Sequence, residues 1–358
     1  MRTYAIYLPA FHEVEINNKT WGKGFTEWDN VKRGVPLYKG HKQPVEPLND
    51  NYYDLSKKTD IEKQIDLANN FGVEGFIFYH YWFGNGHMAL EKPAEILRDE
   101  IDKKINYCFC WANHSWFTTW HGKSSEIIEE QMYDSDDDHL EHIKYMYSFF
   151  SDSRYLKIDG RPVLFIYNMS EIPNFDHILS IWNAFLENNG MKEIYIIEYI
   201  SSKNRELSFD GSDGVAEFEP LYTTYFDISK VNLFKRLVNK VTKTLDFQDY
   251  NKLWSKIINR KRTYGGKEIF KSCFVGWDNS PRKGKNSMIV KGGTPENFRT
   301  NLRKLVTQKR KDSNNDFIII NAWNEWSEGA MLEPSKQYGN GYLEAIKEIN
   351  DETKNRGN

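Results

Sequence analysis

Three cysteines in 358 residues are too few, and odd in number, for a disulfide framework. The sequence therefore predicts a reducing compartment rather than secretion. Cys108 and Cys110 lie two apart in a strand-like run and share a face, which suits core filling better than a metal site with no partner ligand nearby. No apolar run approaches the roughly 20 residues of a membrane span. Met1 to Pro9 holds no apolar stretch long enough for a secretion signal. A cytoplasmic protein is expected. Charge of one sign is missing too: the net is −3, which leaves no global footprint for nucleic acid. No Gly-rich phosphate turn follows an early strand, and no Asp-x-Asp motif sits in a loop suited to a metal and a nucleotide sugar. Asp136-Asp137-Asp138 reads as a helix start. Neither cofactor nor metal is expected, and there is no internal repeat or low-complexity tract.

Aromatic rings are what the chain has in quantity: 11 Trp, 21 Tyr and 22 Phe. Composition alone does not choose between a core, an interface and a carbohydrate platform. Short apolar runs between helical patterns give strand candidates at 4–8, 75–81, 106–111, 163–167, 194–199, 214–218, 273–277 and 317–321. Helix ends are legible between them. Thr59 with Glu62 reads as a capping box before the stripe Ile61, Ile65, Ala68, and Gly72 as its stop. The run 176–189, with Ile178, Ile181, Trp182 and Phe185 on one side, ends at Gly190. Thr294 followed by Pro295 is an N-cap with proline in the first turn, continued by Leu302 and Leu305.

Strands alternating with helices predict an α/β fold, a single TIM-like (β/α)8 barrel over residues 1–350. A doubly wound open sheet is the alternative. The usual barrel needs about 250 residues, so insertions are expected after strands 1 and 6. The first, 11–51, carries Trp21-Gly22-Lys23-Gly24-Phe25-Thr26-Glu27-Trp28 and reads as an ordered loop over the barrel mouth. The second, 225–271, holds twelve Lys or Arg against four Asp or Glu, a local net of +8. Leu233, Phe234, Leu237, Val238 and Val241 recur in it at helical spacing. Such a helix can lie on an anionic membrane face, or it can be a barrel helix with a solvated basic side.

One stretch points to chemistry. After the apolar run ending at Ile320, the chain reads Asn321-Ala322-Trp323-Asn324-Glu325-Trp326-Ser327-Glu328-Gly329. Turn geometry puts residues three apart on one side of the backbone, so Glu325 and Glu328 can face one substrate. Paired carboxyls against tryptophan are what glycosidic-bond chemistry requires, although Glu-x-x-Glu on a solvated helix face carries no such meaning. Barrel active sites gather where the strands end. The residues collected there are His80, Trp82, Trp111, Asn113, Trp116, Asn168, Glu198, Glu219, Trp277, Asp278, Asn279, Arg282, Asn321, Trp323, Asn324 and Trp326, with Trp28 from the first insertion. All but Asn168, Glu198 and Glu219 are taken as substrate-binding candidates. Trp323 and Trp326 can stack on sugar faces or pack the barrel top; Asp278, Asn279 and Arg282 can bind hydroxyls or an acidic group.

Four motifs then carry a resemblance: Tyr7-Leu8-Pro9-Ala10-Phe11-His12, the Gly22-x-Gly24-Phe25-Thr26-Glu27-Trp28 segment, Gly276-Trp277-Asp278-Asn279-Ser280-Pro281-Arg282, and Asn324 to Gly329. In order, over nearly the whole chain, they resemble the WbsX-like glycosyltransferases of bacterial surface-polysaccharide synthesis. That group is related to glycoside hydrolase family 99, the endo-α-mannosidases. The resemblance implies a (β/α)8 barrel with the acidic pair after the last strand. It also implies roles: Glu325 as base toward the sugar 2-hydroxyl, whose oxygen attacks the anomeric carbon to give a 1,2-anhydro intermediate, and Glu328 as general acid/base, with configuration retained. Relatives carry an acidic residue, two arginines and an aspartate where this chain has His114, Thr118-Thr119 and His121, which leaves the pair intact and puts the family's substrate in question.

The expectation is a retaining carbohydrate-active enzyme of lipopolysaccharide, O-antigen or capsule biosynthesis. Its partner would be an oligo- or polysaccharide or a lipid-linked glycan, with peripheral contact at the inner membrane face as an option. An endo-acting hydrolase and a barrel that binds glycans without turnover stay open. A metal-dependent hydrolase built on His80, His114 and His121 matches no familiar ligand spacing.

Overall fold

The β-branched and aromatic runs form eight parallel strands that close into a barrel in a computed structural model describing residues 1–118, 126–202, 205–227, 244–312 and 317–355. The strands are β1 (Arg2–Tyr7), β2 (Gly75–Gly84), β3 (Asn106–Trp111), β4 (Arg161–Ile166), β5 (Tyr195–Ile200), β6 (Gly214–Glu217), β7 (Glu268–Phe274) and β8 (Phe317–Asn321). Each pairs with its neighbour in sequence, and β1 pairs with both β2 and β8, which closes the ring. No open sheet edge is left for the doubly wound alternative.

Helices α1 (Lys58–Phe71), α2 (Lys92–Glu100), α3 (Asp136–Phe150), α4 (Phe175–Asn188), α5 (Leu221–Phe226), α6 (Tyr250–Asn259), α7 (Pro295–Asp312) and α8 (Gly341–Asn355) lie between or after the strands. The link from β5 to β6 has no helix among its described residues. Most helix ends follow their chemistry. Gly72 takes the left-handed conformation at φ 75° after α1, and Gly190 does so at φ 71° after α4. Thr294 Oγ1 accepts from Asn297 N at 3.3 Å ahead of Pro295. Ser135 caps α3 by accepting from Asp138 N at 3.1 Å, so Asp136, Asp137 and Asp138 occupy the first turn, where negative charge meets the helix dipole. The Thr59 box is a correction. Here α1 already begins at Lys58, without a side-chain cap. Thr59 and Glu62 therefore lie inside the helix, where neither can cap it.

Strand β7 begins at Glu268, earlier than the apolar run suggests. Its entry half, Glu268-Ile269-Phe270-Lys271, buries only Phe270 and carries a charge at each end, so it never reads as an apolar run. Residues 11–51 form ordered structure, with helices at Glu15–Trp21 and Glu27–Lys32. The described part of 225–271 includes a strand, Asp246–Asp249, paired with Met288–Lys291 outside the barrel, then helix α6 and the start of β7. Leu253, Trp254 and Ile257 of α6 are buried, and Trp254 meets Phe298 of α7 edge-on at 5.9 Å. Leu233, Phe234, Leu237, Val238 and Val241 lie outside the described residues. Cys108, Cys110 and Cys273 are free thiols buried in the core. No helix among the described residues is long and apolar enough to cross a membrane.

Candidate active site

The carboxyl ends of the strands surround a cavity of ≈340 Å³, large enough for a small-molecule site. Six of the sequence-derived candidates line it: Trp116, Trp277, Asn279, Arg282, Glu325 and Glu328. Glu325 leaves β8 through a short two-stranded turn, where Asn324–Glu325 pairs with Ala330–Met331. A single 3-10 turn, Trp326–Glu328, then brings Glu328 back over the same opening. Gly329 ends that turn at φ 63°, and a Cβ there would press on Asp278 at 3.0 Å.

One guanidinium organises the acids. Arg282 Nη1 donates to Glu328 Oε1 at 3.0 Å, while Nη2 stays 3.6 Å from Glu325 Oε2. Its Nε and Nη2 donate instead to Glu27 Oε1, at 3.1 and 2.6 Å. Glu325 is 5% exposed, and its Oε2 has no hydrogen-bond partner among the described residues. Burial, with Glu328 and Glu27 adding to it and Arg282 opposing it, pushes the Glu325 carboxyl up to about 8. In the free protein Glu325 thus holds its proton near neutrality.

Much of the remaining wall is aromatic. Tyr79, Tyr81 and Tyr167 line the cavity, and burial raises each phenol well above its ordinary value, so all three stay protonated and can donate to a ligand. Phe25, Phe218 and His114 add further rings, and Glu27 also lines the cavity. Sequence reasoning singled out none of Glu27, Tyr79, Tyr81 and Tyr167 as a ligand, although Glu27 sits inside a quoted motif.

The other candidates frame the cavity rather than line it, and each has a physical reason. Side chains alternate along a strand, so Tyr79 and Tyr81 facing inward turn His80 and Trp82 outward onto α3. His80 Nε2 lies 2.9 Å from His142 Nε2. Trp82 stacks on His142 at 4.6 Å and donates to Asp138 at 3.1 Å. Trp111 donates to Trp82 O at 3.1 Å. Asn113 joins the ends of β3 and β4, donating to Asn168 O at 2.9 Å and accepting from Asn168 N at 2.8 Å. Asn324 does the same for β1, accepting from Leu8 N at 2.7 Å and donating to Leu8 O at 2.9 Å. Asn321 donates to Glu219 O at 2.9 Å. Trp323 is fully buried against Phe76. Trp28 donates to Tyr53 O at 2.9 Å and packs on Trp326. Asp278 is held by His41 at 2.7 Å and Gln43 at 2.8 Å.

The rim acids Glu198 and Glu219 are also spoken for. Glu198 accepts from Ser208 N at 2.9 Å, and Glu219 accepts from Thr223 Oγ1 at 2.9 Å and Arg260 at 2.8 Å. Glu333, absent from the sequence reading, anchors the acidic turn from beneath. It accepts from Trp326 Nε1 at 2.6 Å, Tyr53 OH at 2.8 Å and Gln64 Nε2 at 2.9 Å. Of the three histidines considered for a metal, His80 faces α3, His114 faces the cavity, and His121 lies outside the described residues.

Residues 3–346 match the family model described as Glycosyltransferase WbsX. An uncharacterized protein, WxcX, of Xanthomonas campestris pv. campestris is 32% identical over 349 residues, 96% of this chain and 49% of that protein. The chain thus spans about half the length of that curated relative. Among solved structures, a glycoside hydrolase-like protein superposes with a TM-score of 0.59 at 14% identity, covering 97% of this chain and 93% of the other. The GH99 endo-α-mannosidase of Bacteroides thetaiotaomicron gives 0.57 at 14% identity, over 100% and 99%. At that identity the likeness is one of fold.

Proposed function

The chain belongs to the WbsX glycosyltransferase family, and from that premise we propose that it makes or breaks glycosidic bonds in bacterial surface-polysaccharide biosynthesis, with Glu325 and Glu328 as the working pair. One observation carries the reading: the two carboxyls open onto one cavity and share one buried guanidinium, at 3.6 and 3.0 Å. Burial, reinforced by the neighbouring carboxyls, favours a proton on Glu325 in the free site. Retaining chemistry through a 1,2-anhydro sugar needs just one proton on the pair.

In the first step the sugar 2-hydroxyl gives its proton to Glu325, and O2 forms a bond to C1. The bond from C1 to the leaving oxygen breaks, and that oxygen takes a proton from Glu328. In the second step Glu328 removes the acceptor's proton, the acceptor oxygen bonds to C1, the C1–O2 bond opens, and O2 recovers its proton from Glu325. Two inversions retain configuration. In the free site the shared proton rests on Glu325, so a bound substrate must move it to Glu328. A 2-hydroxyl donating to Glu325 Oε2 supplies the hydrogen bond that the ionised form lacks, and such a bond favours ionisation. The tyrosine hydroxyls and the faces of Trp116 and Trp277 are suited to hold the ring.

The substrate in this reading is an oligo- or polysaccharide or a lipid-linked glycan, handled in the cytoplasm, with the basic insertion near the inner membrane face. Water as acceptor would make the protein a hydrolase, and a sugar hydroxyl would make it a transferase. Screening nucleotide sugars and purified glycans, with and without a lipid-linked acceptor, separates these outcomes. Product under one set of conditions is expected, and no turnover under any set would leave a glycan-binding barrel.

A further inference from the structure

Glu27 is the third acid at the site, and its carboxylate is fixed from several sides. Its backbone N donates to Ala10 O at 3.1 Å, which ties the residue to the end of β1. A capping box between Thr26 and Asp29 sets the start of its helix. Asn30 Nδ2 donates to Oε2 at 2.9 Å, and Ser327 Oγ donates to Oε1. Arg282 is aimed as firmly from the other side. It sits in the short helix Ser280–Lys283, behind an Asp278 held by His41 and Gln43.

A guanidinium offers its five N–H groups in a rigid fork. Here the Nε–Nη2 edge is spent on Glu27 and Nη1 on Glu328. At 3.6 Å, Nη2 is beyond hydrogen-bond distance from Glu325. A shift of under about 1 Å would close that gap into a charge-assisted bond. The acceptor that this edge reaches instead is Glu27.

We propose that Glu27 is a positioning residue: it grips the Nε–Nη2 edge of Arg282 and holds the guanidinium back from Glu325, so that Oε2 stays free for a substrate hydroxyl. The inference rests on Glu325 and Glu328 being the working pair, yet its test needs no turnover. The ionisable groups facing Glu325 are Arg282, Glu27, Glu328, Tyr79, Tyr81 and Tyr167, with His114 and Lys283 elsewhere on the wall. Replacing Glu27 by Gln removes a negative charge from this set and releases Nη2 toward Glu325. Both changes favour the ionised form of Glu325, so they add rather than cancel.

The test is a carbon-13 NMR titration of the side-chain carboxyls in the full chain, with the Glu325 signal identified by its loss in Glu325→Gln. The wild-type midpoint is expected near 8. In Glu27→Gln it should fall by about one pH unit or more, a tenfold loss of proton affinity. Glu27→Asp, which keeps the charge on a shorter arm, should fall less. A wild-type midpoint in the ordinary carboxylate range, or an unmoved midpoint in folded Glu27→Gln, overturns the proposal. Should the Gln variant fail to fold, the Asp variant decides: a partial fall supports the proposal, and an unmoved midpoint refutes it. An unmoved midpoint alongside lost turnover in Glu325→Gln would remove Glu27 from the account and leave the proposed function standing.

Discussion

Replacing Glu333 by Gln should flatten the dependence of stability on pH. Burial pushes the Glu333 carboxyl from 4.5 up to about 7, against hydrogen bonds from Trp326, Tyr53 and Gln64. A raised carboxyl means that the folded protein keeps a proton which the unfolded chain has already released. Stability from this group is therefore full below about pH 4.5, declines as pH rises, and is exhausted above about 7. Two and a half units at 1.36 kcal/mol each give about 3 kcal/mol. Gln cannot titrate, so this decline disappears. Its amide offers one acceptor oxygen where the carboxyl has two, and at acid pH the variant should be weaker by about 1–3 kcal/mol. Urea unfolding followed by tryptophan fluorescence at pH 5, 6, 7 and 8 measures the difference. Between pH 5 and 8 the difference should move by about 2.5 kcal/mol in the variant's favour, which cancels or reverses its acid-pH deficit. Parallel curves for the two proteins would refute the buried, proton-holding Glu333.

If one proton must stay on the pair, kcat/KM should follow a bell-shaped pH profile whose alkaline limb falls near 8; a plateau continuing to pH 10 contradicts this. Turnover of a donor with a nitrophenolate leaving group should survive Glu328→Ala far better than turnover of a natural glycan, since no acid is then needed, whereas Glu325→Ala should spare neither substrate. Strand parity separates two neighbours on β2. Tyr81→Phe should lower kcat/KM about tenfold for one lost hydrogen bond. Trp82→Phe should leave kcat/KM unchanged within about twofold and cost about 1–3 kcal/mol of stability through Asp138; equal effects on turnover would reverse the assigned faces.

Those two neighbours also show where a sequence stops being legible. The barrel itself was readable, because eight short apolar runs alternate with helical patterns, and the acidic pair was readable because both acids follow the last run. The face of β2 was not. Gly75–Gly84 is buried at every position, as a parallel strand between a barrel interior and its helices must be, so no polar alternation marks the inside. The polar His80 draws attention there, yet it faces outward to His142. Asn113 and Asn324 look like ligands for sugar hydroxyls, yet each is used up between strand ends. Glu27 was overlooked for the opposite reason. Its partner Arg282 lies 255 positions away, and only the closed ring brings them together.

The most direct measurement is glycan turnover by Glu325→Gln and Glu328→Gln, each first shown to be folded. The account predicts that both lose activity on natural glycans by at least about a hundredfold, the scale of a lost acid or base. Undiminished turnover in either one would contradict a shared acidic site at the mouth of the barrel.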